Sequence, residues 1–319
     1  MKVLIALVAM VLGGIVAVTM SVALPSGTTI DDSRIGQVRR GLLVWRAGGL
    51  VVAGVAAAVA LWFGLGAPTG RADGVIDTYF NGSGWFGYTS SDLRVLVCVV
   101  PAIFIVVQLI AIAVAEWRAY RPVDALVTVT LSPRRAADYL PSRLVAVTGV
   151  AAVSVIGISV VTVLNTGTVA PGLGVTCRDG TVLARASWSR EELMVLTGGI
   201  LAGAVAFMLA VRSIVDRGRP DSDAMSTAAD DLVRRSSATS AAGLFACLVA
   251  VTGAAVALVT GAAVRHLAGT GCGSGWWTVS GWVLYMSTAV WIVLFVWGAA
   301  AAANRTRRGV KRAPQGVRA

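Results

Sequence analysis

A chain of 319 residues that is 56% hydrophobic and only 13% charged, with a mean hydropathy of +0.78, has too few charges to cover a globular surface in water. Soluble domains carry roughly 25% charged residues, so the composition excludes an ordinary soluble domain and predicts a protein solvated largely by lipid. The net charge of +11 then points to nucleic acid, to an anionic membrane surface, or to loop charges that fix topology, and the distribution decides among them.

A bilayer span needs about 20 mostly apolar residues. Seven stretches qualify: 3–24, 42–66, 93–115, 144–164, 193–211, 241–264 and 279–303. The predicted fold is therefore an all-α polytopic transmembrane bundle. Ser21-Val22-Ala23 at the end of the first stretch resembles a signal-peptide cleavage site. The apolar run is longer than a signal core of about 7–15 residues, and cleavage would reverse the charge bias of every later loop, so the stretch reads as a retained span. Arg46 lies one turn inside the second span, from where it can snorkel to the interface.

The Arg/Lys bias orients the chain. Residues 25–46, 116–143, 212–240 and 304–319 hold four, five, five and six basic residues, against seven on the other face. These segments are expected in the cytoplasm, with the N-terminus outside and the C-terminus inside the cell membrane. Acids such as Asp216, Asp221, Asp223, Asp230 and Asp231 interrupt the basic loops, so no uniform nucleic-acid-binding stripe forms. The tail 304–319 reads as a disordered anchor; Arg305, Arg307, Arg308, Lys311 and Arg312 could touch anionic lipid. The abundance of Ala, Val, Gly and Arg with few Lys resembles a bacterial coding bias.

Tryptophans mark the span ends, among them Trp117, Trp188, Trp276 and Trp277, where amphipathic rings prefer the interface. In the first outer loop, strand-like residues 75–80 precede Asn81-Gly82-Ser83-Gly84, a hairpin signal. Tyr79, Phe80, Trp85, Phe86 and Tyr88 there could meet a ligand or partner, or rest on headgroups. Residues 174–183 repeat the hairpin pattern around Arg178-Asp179-Gly180. An echo between residues 91–140 and 192–232 suggests repeated helical hairpins, or a chance alignment of Ala/Val/Gly-rich segments.

Of four cysteines, Cys98 and Cys247 fall within spans and read as packing residues. Cys177 and Cys272 fall in outer loops, where a disulfide can persist, and are expected to pair. Gly199 and Gly203 in the fifth span, and Gly253, Ala257 and Gly261 in the sixth, have the spacing that lets helices approach closely inside one bundle. Gln108 is the one large polar side chain within a span, and it is expected to need a partner across helices.

Catalytic signatures are missing from the sequence. It has one histidine, His266, and lacks a zinc motif, a Walker loop and a nucleophile elbow. No cofactor, metal or catalytic residue is expected. The leading expectation is a non-enzymatic subunit, scaffold or accessory protein, working with lipid and with another membrane or exported protein. The alternative is a permease or channel for a small neutral or apolar solute. An enzyme built on the outer acids Asp73, Asp77 and Asp92 would lack an accompanying base or nucleophile.

Overall fold

The computed structural model describes residues 48–49, 52, 90–119, 135–165, 173–176, 182–185, 188, 190–217, 224–269 and 275–303. Five long helices dominate: α1 (Ser90–Ala119), α2 (Ser142–Asn165), α3 (Arg190–Asp216), α4 (Ala224–Gly269) and α5 (Gly275–Ala303). All five are long and apolar enough to cross a membrane. They cover the expected spans 93–115, 144–164, 193–211, 241–264 and 279–303 and extend beyond each at one or both ends. The spans 3–24 and 42–66 fall outside the described residues except for Gly48, Gly49 and Val52, which are helical.

Local chemistry explains the helix ends. Glu191 and Glu192 occupy the first turn of α3, where acids favour the positive end of the helix dipole. Gly218 and Pro220 follow the end of α3 in sequence, and neither continues a helix well. Before α2, the amide of Arg135 donates to the Asp138 carboxylate at 3.3 Å, closing a 3-10 turn at Ala136–Asp138. The Val145 amide then donates to the Pro141 carbonyl at 3.0 Å as α2 begins.

Helix α4 is the axle of the bundle and packs against all four other helices. Its 46 residues span about 69 Å at 1.5 Å per residue, well over twice a hydrocarbon core of about 30 Å. Residues 224–240, read from the sequence as part of a loop, are the first turns of this helix. Phe207 of α3 stacks on Phe245 of α4, with ring centroids 5.3 Å apart. Gly203 lies under Leu248 and Phe245.

The contact between α4 and α5 is closest where glycines face backbone. Gly243 opposes Gly298 and Ala302 so tightly that a Cβ on Gly243 would overlap the Gly298 carbonyl oxygen and lie 2.5 Å from the Ala302 nitrogen. Farther along, Gly253 gives room to the Trp291 ring, and Gly261 to the Tyr285 backbone. The Ser240 hydroxyl donates to the Ala302 carbonyl at 3.2 Å. The buried Cys247 thiol points to the Phe295 carbonyl at 3.7 Å.

Two short strands, β1 (Leu173–Thr176) and β2 (Val182–Arg185), pair antiparallel with Leu173 opposite Arg185. They lie against α2 and α4. Long apolar side chains remain exposed on α2, α3 and α5, including Val153, Met208 and Val290. An apolar surface of this extent suits hydrocarbon rather than water.

Candidate functional site

Four charged side chains are buried together at one end of the bundle. Glu116 lies near the end of α1, and Arg217 directly follows α3. Asp230 and Arg234 lie one turn apart on α4, a spacing that puts both on one face. None of the four is more than 5% exposed.

Their hydrogen bonds form a continuous chain. Arg217 donates from Nη1 to Glu116 Oε2 at 2.5 Å and from Nη2 to Asp230 Oδ1. Arg234 donates from Nε to Asp230 Oδ2 at 2.7 Å. The other Glu116 oxygen accepts from the Ser237 hydroxyl at 2.6 Å. Arg234 also donates to the carbonyls of Ile214, Val215 and Arg217 at 2.8, 3.1 and 2.6 Å. Carbonyls at a helix C-terminus lack intrahelical partners, so Arg234 caps α3 with a charge of the sign that its dipole favours.

Among the described residues, two cations and two anions balance in the cluster. Such balance is what permits charges to leave water, because an unpaired buried ion is far more costly than a matched set. Burial alone would lower the basicity of Arg217, but attraction from Glu116 and Asp230, with their hydrogen bonds, outweighs it. The result is a guanidinium held above its ordinary value, charged wherever the protein is folded.

The cluster joins α1, α3 and α4, and nearby contacts bring in the other two helices. The Tyr139 hydroxyl, just before α2, donates to Asp231 at 3.3 Å. Ser240 reaches Ala302 at the end of α5. All five helices therefore have one end here, and they alternate in direction through the bundle.

The sequence places Arg217 and Arg234 among the basic residues of a loop and Asp230 among the acids that interrupt it; the structure buries all three. The Asp230–Arg234 spacing and an acid at the end of an apolar run, Glu116, were the available signals. Trp188 is 1% exposed and Glu192 8% exposed, so both are buried in the protein. Gln108 is 4% exposed, and among the described residues its Nε2 finds no hydrogen-bond acceptor. Gly49 packs beside it, against Ala111.

The other sequence-derived candidates lie outside the described residues: Tyr79, Phe80, Trp85, Phe86 and Tyr88, the pair Cys177 and Cys272, and the tail residues Arg305, Arg307, Arg308, Lys311 and Arg312. Among the described residues, no group of three or more His, Cys, Asp or Glu side chains is placed to hold a metal ion. No protein-family model, curated protein or solved structure matches the chain.

Proposed function

We propose that this membrane protein is a non-enzymatic subunit or scaffold that works through helix and loop contacts with another membrane or exported protein. The ionic cluster carries the reading. Its charges neutralise one another and fasten three helix ends, which is the arrangement of a fixed joint rather than of a relay that exchanges partners. In the cell membrane the chain crosses seven times, N-terminus outside, with the ionic cluster on the cytoplasmic side and hairpins in the outer loops. The positive-inside distribution of Arg and Lys supports this orientation.

Affinity purification from native membranes in mild detergent, with mass spectrometry of what co-purifies, tests the proposal. A stoichiometric partner protein is the expected result. A partnerless preparation that conducts solute in proteoliposomes overturns it. That outcome favours a facilitative pore for a small neutral or apolar solute. Gln108 supports this second reading, because an interior amide with an unfilled donor can receive a passing polar group.

Outer-face oxidation joins Cys177 to Cys272 in this proposal, tying the loop between α2 and α3 to the loop between α4 and α5. Thiol blocking before and after reduction, followed by intact mass, is expected to reveal two additional reactive thiols only after reduction. Four thiols blocked without reduction in freshly isolated membranes would remove the bridge.

A further inference from the structure

At the end of the bundle opposite the ionic cluster, a single arginine stands on an aromatic corner. Arg265 lies one turn before the end of α4. Its guanidinium carbon is 3.8 Å from the centroid of Trp282 and 5.2 Å from that of Tyr285, both on α5. The two rings meet edge to face, 6.4 Å apart at 89°. Gly281 makes room for this arrangement: a Cβ there would lie 2.8 Å from Arg265 Cγ and 2.9 Å from its backbone nitrogen.

Stacking covers the face of a guanidinium and leaves its edge of N–H donors open. Among the described residues, no carboxylate or carbonyl accepts a hydrogen bond from Arg265. A planar fork of donors suits the paired oxygens of a phosphate. The location supplies the rest of the fit. Trp276 is 78% exposed at the start of α5, as in the aromatic belt of a membrane interface. Below the rings, exposed Met286 and Val293 continue the Trp282 face along α5, offering an apolar track for an acyl chain.

We propose that Arg265, held on Trp282 and Tyr285, binds the phosphodiester of an anionic phospholipid whose acyl chain lies along α5. This site is independent of the scaffold reading and requires only that the chain reside in a membrane. One unneutralised guanidinium at a headgroup favours an anionic over a zwitterionic lipid by roughly fivefold.

Native mass spectrometry of the purified full chain tests this after titration with phosphatidylglycerol or phosphatidylcholine, each with and without inorganic phosphate. Wild type is expected to retain phosphatidylglycerol roughly fivefold better than phosphatidylcholine. Arg265→Gln is expected to erase the preference. Arg265→Lys, which keeps the charge but not the planar fork, should keep part of it. If Arg265→Gln elutes as aggregate, Trp282→Leu decides, because it removes the platform while leaving the charge, and it should reduce retention. Equal retention by wild type and the variants, or no headgroup preference in wild type, overturns the site. Displacement of phosphatidylglycerol by inorganic phosphate identifies a free-anion site and overturns the lipid assignment.

Discussion

Arg217→Met is expected to destabilise the bundle by about 3–5 kcal/mol, the cost of removing one partner from a buried ion pair. Methionine fills most of the arginine volume, so the loss comes from charge rather than from a large cavity. Without Arg217, Asp230 keeps its bond to Arg234, whereas Glu116 loses the guanidinium bonded to its Oε2. The rescue pattern is therefore asymmetric. Adding Glu116→Gln leaves Asp230 paired with Arg234 and should recover most of the stability. Adding Asp230→Asn instead strips Arg234 of the carboxylate bonded to its Nε, so it should recover little. Thermal melts of detergent-purified variants, followed by size-exclusion chromatography, read the difference. Equal rescue by both second substitutions would show that the specific pairing is immaterial.

The sign of the Arg217 shift bears on how the joint can be broken. Its basicity is raised, so its stabilising contribution is present below the ordinary arginine value and is lost only as pH rises through the higher folded value. Alkaline conditions short of general denaturation should leave Arg217 charged. Substitution is thus a cleaner probe of the cluster than titration.

The five apolar helices were legible because lipid demands long runs without charge, and α1 to α5 meet that demand. The ends were less legible for the same reason. A hydropathy boundary stops at the first charges, yet α4 continues back through Arg235, Arg234, Asp231 and Asp230 to Ala224. These charges do not break the helix, and Asp230 and Arg234 bond to each other along it. Tertiary pairing was beyond one-dimensional reading. Glu116 is separated from Arg217 by 101 positions and from Ser237 by 121, so no local pattern announces either contact. The charge rule assigns Arg217 and Arg234 to one face as basic residues, but it does not distinguish a solvated arginine from one that caps a neighbouring helix. Small-residue spacing indicated close packing without naming its partner. Gly253 and Gly261 proved to face α5, whereas Gly199 meets Ala102 of α1.

Gly243→Val is the second substitution with a large expected effect, because its neighbours cannot yield. At Gly203 the crowding atom is the end of a leucine side chain, which can rotate away. At Gly243 the crowding atoms are the backbone of Gly298 and Ala302, and the reciprocal Cβ on Gly298 would lie 2.8 Å from the Gly243 carbonyl oxygen. A side chain there must separate α4 from α5 and stretch the Ser240–Ala302 and Cys247–Phe295 contacts with them. Overpacking a well-filled interior costs about 1–3 kcal/mol, and an unyielding backbone places this case at or above the upper end. Gly157→Val on α2 is the matched control, since a Cβ there meets nothing within 4 Å. It adds the same side chain to a helix and should change stability by less than about 0.5 kcal/mol. A comparable loss in both variants would mean that valine weakens the helices themselves, and the close approach of α4 and α5 would not be the cause. A loss confined to Gly243→Val would place a second fastening beside the ionic cluster: α4 is bound to α1 and α3 through charge, and to α5 at Gly243 through direct backbone contact.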